Sequence, residues 1–286
     1  MLLTCYYVKR GSHEDHRLGS WLWYPSAPVD AVNPKTIAPC RRQVDFGEDN
    51  GNAPELGDVD DVFVVTNAKY ISQFDQAIEE FKKRVAIQQN IILVDDGTTS
   101  NETRLGPVGD IVLVLKRFAL NDDLLVIGAD NLFFPTLKEL CRFARGKKAP
   151  VLAVFEFHER ARVREKYGVV VADKSGRITS FEEKPTNPKS AVAATALYVL
   201  PKQYLKHLIK LYDRPHQREV NAGEIIVHLL NSGAPVYCYP LTVWFDIGSH
   251  DDLRRAEDYY SGFALPGQTF LCKCLPLDRK YNLQNI

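Results

Sequence analysis

The stretch Leu124-Leu-Val-Ile-Gly-Ala-Asp-Asn-Leu-Phe133 decides how the rest of the chain is read. Residues 123–127 form a strand pattern. Leu124 to Ile127 is apolar throughout, as a strand buried on both faces requires. Asp130 follows almost at once. In an open parallel sheet, ligands gather at the carboxyl ends of the strands. Asp130 therefore stands where such a sheet would carry a functional carboxylate. An Asp that merely caps the next turn is the other reading of the same position.

Working outward, the same strand pattern recurs at 62–66, 90–94 and 150–155. Between these runs, Ile71, Phe74, Ile78 and Phe81 repeat at helical spacing with charged residues interleaved. Residues 135–145 repeat the pattern with Leu137, Leu140, Cys141 and Ala144 on one face, and a further helix covers 109–115. Strands alternating with helices of this length predict an α/β fold, a mixed, mostly parallel sheet with helices on both faces. After residue 165 the pattern changes. Residues 167–171 and 178–181, joined by Asp173-Lys-Ser-Gly176, read as a β-hairpin. A strand at 193–200, helices at 203–212 and 224–230, a strand at 235–239 and a helix at 250–260 follow. Asp246 ends the apolar run Val243-Trp-Phe, a second carboxylate at a strand end. Two such Asp residues can converge on one Mg²⁺, which prefers carboxylate oxygen.

Residues 1–58 lack periodicity, and Gly47-Glu-Asp-Asn-Gly-Asn-Ala-Pro54 reads as a loop. Residues 59–262 form the patterned domain, and 263–286 a tail without clear pattern. Across 286 residues, 36 Lys and Arg balance 36 Asp and Glu. A neutral chain has no global field to collect nucleic acid or an anionic membrane. No apolar run approaches the roughly 20 residues of a membrane helix. The six cysteines are scattered with no C-x-x-C pair, as expected of reduced thiols in a cytoplasmic protein. No phosphate-loop, nucleophile-elbow or H-E-x-x-H motif occurs, and no His has a partner at metal-ligand spacing.

Several fragments taken together resemble one family. They are 124–133, Tyr167-Gly-Val-Val170, Ile178-Thr-Ser-Phe-Glu-Glu-Lys-Pro185, Thr195-Ala-Leu-Tyr198 and Trp244-Phe-Asp-Ile-Gly248. Their order and rough spacing are those of sugar-phosphate nucleotidyltransferases, the glucose-1-phosphate thymidylyltransferase-like group. Asp95-Asp-Gly-Thr-Thr-Ser-Asn-Glu102, with Leu105-Gly106 and Gly109-Asp110, is similar to the nucleotide-side loop of one branch. The resemblance covers about 60–260 and implies a Rossmann-like nucleotidyltransferase fold. The implied reaction joins a nucleoside triphosphate to a sugar 1-phosphate with release of pyrophosphate.

By the match, Asp130 and Asp246 bind Mg²⁺. Lys184 holds the sugar phosphate, Glu183 a sugar hydroxyl and the Gly168 backbone another. Tyr198 belongs to the substrate site, Asn131 lies beside the sugar or ribose, and Thr98 and Gly106 lie near the base. The hairpin becomes the sugar-binding subregion. The implied partners are the two small substrates, with neither nucleic acid nor membrane; a homo-oligomer is left open as one of the alternatives.

The family opens with a strand, a Gly-rich phosphate loop ending in Thr-Arg-Leu, and a Pro-Lys pair. Gly11 and Arg17-Leu18, separated by His13-Glu-Asp-His16, do not make that loop, and the two acids would repel a triphosphate. Asn33-Pro-Lys35 resembles the Pro-Lys element, which makes Lys35 a catalytic candidate. A methyl at Ala129, where the family usually has Gly, is expected to crowd the nucleotide. Three readings follow: an enzyme with other phosphate contacts, an impaired relative that binds a sugar nucleotide or serves a partner subunit, or an N-terminus that is not the family's own. A glycosyltransferase is disfavoured by the E-K-P and W-F-D-I-G elements.

Overall fold

The computed structural model describes residues 4–8, 59–84, 89–134, 137–214 and 219–262. The strands are β1 Thr4–Val8, β2 Asp61–Thr66, β3 Asn90–Asp95, β4 Leu124–Gly128, β5 Asn131–Phe134, β6 Val151–Glu156, β7 Val169–Ala172, β8 Ile178–Glu182, β9 Val192–Leu200, β10 Tyr237–Pro240 and β11 Val243–Asp246. The helices are α1 Ile71–Arg84, α2 Gly106–Arg117, α3 Leu137–Lys147, α4 Leu205–Tyr212, α5 Ala222–Asn231 and α6 His250–Gly262.

The main sheet runs in the order β10-β6-β9-β4-β1-β2-β3. From the pairings, β10, β6, β4, β2 and β3 point one way, while β9 and β1 oppose them. The expected mixed, mostly parallel sheet is present, and the carboxyl ends of β2, β3, β4 and β6 share one edge. The β7–β8 hairpin appears where the pattern put it and joins β9 through Val169 and Ala193.

Period-2 alternation with both faces apolar explains the buried strands. On β4, Leu124 and Val126 enter one core with Phe63, Val65, Leu152, Tyr198 and Leu200. Apolar residues of α2, α4 and α5, among them Ile111, Leu208 and Ile225, close that core. Leu125 and Ile127 enter the opposite core, beneath Leu140 and Ala144 of α3. On the same side, Ile78 of α1 covers Val62 and Val64. Helix α5 is stopped at its N-terminus by a capping box between Asn221 and Glu224.

Two sequence expectations are corrected. Residues 1–58 were expected to be irregular throughout, yet Thr4–Val8 is a strand in the middle of the sheet. It is antiparallel to both neighbours, with Thr4 beside Gly128 and Val8 beside Leu124 and Asp61. The carboxyl end of β1 therefore lies at the edge of the sheet opposite Asp130. The run ending in Asp246 was expected to belong to the open sheet. Instead, among the described residues, β11 pairs with β5 alone, in a separate two-stranded ribbon.

Candidate active site

The ribbon builds the centre of the site. Its register sets Asn131 opposite Asp246, Leu132 opposite Phe245 and Phe133 opposite Trp244. The amide of Ile247 donates to the Asp130 carbonyl over 2.8 Å, which locks the turn after β4 to the end of β11. Two Asp residues 116 positions apart are thus brought to one place, at the carboxyl end of β4.

Asn131 organises this centre. Its side-chain nitrogen donates to Asp130 Oδ1 at 2.6 Å and to the Gly128 carbonyl at 3.1 Å, and its oxygen accepts the Trp244 indole N–H at 2.6 Å. Asn131 and Trp244 are both buried. Gly128 gives this network room. A Cβ there would lie 2.7 Å from Ala196 Cβ, 2.8 Å from Asn131 Nδ2 and 3.0 Å from Asp130 Oδ1. The Ala129 methyl packs on the Val62, Val64 and Ile78 cluster, so the position in this turn that tolerates no side chain is Gly128.

Burial first, and Asp246 second, push the Asp130 carboxyl up to about 6. Asp246 is also raised, chiefly by burial and further by Asp252, against the opposing pull of Lys166, a hydrogen bond from Tyr167 and Lys184. The Tyr167 phenol is itself held protonated by burial and then by Asp246 and Asp252. Two half-buried carboxylates, one of which raises the other, with two ammonium groups nearby, form a site that takes up positive charge. A cavity of about 1180 Å³ opens beside them, its wall including Tyr167, Trp244, Asp246, Lys166, Arg162 and Asp252.

The hairpin carries the remaining candidates. Lys184 follows β8 in the left-handed region, with φ of 44°, and its amide donates to the Tyr167 carbonyl at 3.1 Å. Held strain of this kind persists where the surroundings over-determine the residue. Glu183 meets Gly168, where a Cβ would lie 3.2 Å from Glu183 Oε2. Glu183 is exposed, yet the part of it that the hairpin covers raises its carboxyl, while Lys184 opposes the shift and Glu224 adds to it. Tyr198 of β9 is buried, and burial together with Glu183 holds its phenol protonated.

The nucleotide-side candidates belong to other elements. Thr98 is buried in the turn after β3. Its amide donates to Asp96 Oδ1 at 2.7 Å and its carbonyl accepts from Ala68 at 3.0 Å. Gly106 opens α2 at φ 76°, where a Cβ would lie 2.6 Å from Glu219 Cγ. Asp110, one turn on, is buried with an unpartnered Oδ1; burial and then Asp96 push it up to about 8. Lys35 lies outside the described residues.

Sequence reading missed Trp244 as a polar partner, the Tyr167 hydroxyl, Lys166 and Asp110. The first two stand inside the quoted motifs, so a signal existed. Asp110 had only its place beside Gly109, and nothing singled out Lys166.

The chain is an open α/β protein with an acidic pair at its strand ends, and the solved structures agree at the level of fold. A putative glucose-1-phosphate thymidylyltransferase from Bacillus anthracis, in complex with a sucrose, matches with TM-score 0.58 and 18% identity, covering 71% of this chain and 77% of that one. A UDP-glucose pyrophosphorylase complexed with UDP-glucose matches with TM-score 0.57 and 18% identity, over 71% and 81% of the two chains. The nucleotidyl transferase family model matches residues 53–261, and the chain belongs to that family. It is 28% identical over 150 residues to a glucose-1-phosphate adenylyltransferase of Clostridium acetobutylicum (50% of this chain, 38% of the relative). To the enzyme of that name in Lachnospira eligens it is 38% identical over 87 residues (29% and 20%). The chain thus spans well under half the length of these curated relatives. Among the described residues, no helix is long and apolar enough to cross a membrane.

Proposed function

We propose that this chain transfers a nucleotidyl group from a nucleoside triphosphate to a sugar 1-phosphate, with release of pyrophosphate. The observation that carries the reading is the pairing of β5 with β11, which brings Asp130 and Asp246 together at the carboxyl end of β4. Family membership and the names of its relatives support the same chemistry.

The acidic pair fits Mg²⁺. That ion needs one or two carboxylates and keeps waters and substrate phosphates as its other ligands. Among the described residues no cluster of three or more His, Cys, Asp or Glu gathers. Asp130 and Asp246 would hold the cation, which supplies charge neutralisation on the triphosphate. Asn131 keeps the Asp130 carboxylate turned into the site, and Tyr167 does the same for Asp246. Lys184 carries the sugar phosphate. Glu183 and the Gly168 backbone meet sugar hydroxyls beside Tyr198, while Thr98 and Gly106 face the base. Lys35 stays a candidate phosphate contact. The chemistry asks for positioning and charge rather than a covalent intermediate. We read the chain as cytoplasmic.

The test is pyrophosphate release with Mg²⁺, a panel of nucleoside triphosphates and glucose 1-phosphate. Release that requires both substrates and disappears in Asp130→Ala supports transfer. A second reading, sugar-nucleotide binding without turnover, is favoured by the direction of β1, whose carboxyl end lies away from Asp130. No release, with calorimetric binding of UDP-glucose or ADP-glucose retained, selects that reading.

A further inference from the structure

Gly223 stands second in α5, is buried, and has no positive φ to account for it. Alanine is the better helix former, by about 1 kcal/mol in a helix interior, so backbone freedom does not account for the glycine here. A Cβ built there would fall on Oε2 of Glu183, well inside van der Waals contact, and 2.9 Å from two carbons of the Phe181 ring. The same ring lies 2.5 Å from a Cβ built on Gly168. Two glycines from different elements, Gly168 at the start of the hairpin and Gly223 in α5, therefore bracket one ring and one carboxylate.

Strand alternation explains how Glu183 arrives there. Phe181 turns in towards the core that contains α5, and Glu182 turns away to pair with Lys189. Glu183, just past the strand, turns back over the ring. The first turn of α5 carries the positive end of a ten-residue helix, which suits a carboxylate at that point. Glu224 is occupied, accepting from the Asn221 amide at 3.1 Å. The charged and titratable groups that bear on Glu183 are Lys184 beside it, Glu224 of α5 and Tyr198 of β9.

We infer that Gly223 is the positioning residue that seats the Glu183 carboxylate in the sugar subsite, and so sets which hexose 1-phosphate the site accepts. This rests on the transfer reading above. With Gly223 and the Phe181 ring bounding it on one side, the Glu183 carboxylate is directed to one arrangement of sugar hydroxyls and leaves an epimer unpaired. A carboxylate that a bound sugar covers but does not pair is the costly outcome that creates discrimination.

The experiment compares Gly223→Ala, Glu183→Asp and the double variant with the wild-type chain. Helix propensity alone makes Gly223→Ala more stable; the seat makes it melt lower, with Glu183→Asp in the same chain recovering the share set by the carboxylate, because the shorter acid withdraws by one methylene, while the share set by the Phe181 ring remains. In kinetics, Gly223→Ala should raise KM for glucose 1-phosphate about tenfold and reduce the preference between glucose 1-phosphate and galactose 1-phosphate, with KM for the triphosphate unchanged. Equal shifts in both KM values, or an intact preference, would overturn the specificity role. A wild-type chain that turns over no sugar phosphate ends that role together with the transfer reading, and the melting data still decide the seat. Gly223→Ala melting at or above wild type overturns it.

Discussion

Trp244 and Asn131 are joined by a hydrogen bond of 2.6 Å, from the indole N–H to the side-chain oxygen. The bond leaves only the nitrogen of Asn131 to face Asp130, and so fixes the orientation of the amide. Trp244→Phe keeps an aromatic ring and removes the donor. Leaving a buried acceptor unmatched costs about 1–3 kcal/mol. The expected result is a lower urea midpoint with an unchanged slope, together with weaker Mg²⁺-dependent triphosphate binding by calorimetry.

Asp246→Asn removes the charge that helps raise Asp130. A carboxyl whose folded pKa lies above its unfolded value stabilises below the unfolded pKa, and that contribution fades as pH rises through the folded one. For Asp130 the window runs from about 3.8 to about 6. Denaturation of metal-free Asp246→Asn across this range should show a smaller loss, by about 1 kcal/mol, since burial accounts for the larger share of the shift. Metal-dependent triphosphate binding should vanish while the circular dichroism spectrum is kept. Unchanged metal-dependent affinity would sink the metal assignment.

Gly128→Ala forces a methyl against Ala196 and the Asn131 amide. Overpacking at such a point costs about 1–3 kcal/mol. The variant should lose stability and metal-dependent binding together, whereas Ala129→Gly, on the next residue, should lose only a small packing contribution.

Asp110 gives a different pH signature. Raised to about 8, it holds its proton in the folded chain at neutral pH and releases it when the chain unfolds. Its contribution is present below about 3.8 and declines steadily to about 8. Asp110→Asn should therefore gain about 1–3 kcal/mol at pH 7.5 and almost nothing at pH 4. Equal effects at both pH values would place the carboxyl in water.

Lys184→Gly separates strain from function. A non-glycine residue in the left-handed region gives up about 1 kcal/mol, part of which glycine returns. Thermal unfolding should show a slightly more stable chain, and kinetics a rise of at least tenfold in KM for the sugar phosphate from loss of a charge-assisted contact. No change in that KM would remove Lys184 from the phosphate.

What could be read ahead of the structure follows from where information is local. β4 and β6 announce themselves as unbroken apolar runs, and α1 through the spacing of Ile71, Phe74, Ile78 and Phe81. β5 is four residues long and exists as a strand because β11 pairs with it from more than a hundred positions away; no window of sequence holds that fact. The direction of β1 is equally non-local. Motifs singled out Asp130, Asn131, Glu183, Lys184 and Asp246, each next to a strand end. Gly223 was invisible because a glycine inside a helix pattern carries no turn signal, and Asp110 because burial is a property of the packed molecule.

The place of β1 has a mechanical meaning. Among the described residues it is the sole hydrogen-bonded link between β4 and β2. On one side stand β2 and β3, with the turn that carries Thr98; on the other stand β4, β9 and β6, with the acidic pair and the hairpin. Five residues, drawn from partners 53 and 124 positions apart (Val8 with Asp61, Thr4 with Gly128), act as the keystone between the two halves. Contacts this distant in sequence are slow to form, because loop closure must be met before they contribute. The span between the Thr98 turn and the acidic pair is therefore set across Thr4–Val8, whose backbone pairs with both sides while Phe63, Val65, Leu124 and Val126 share the core beneath it.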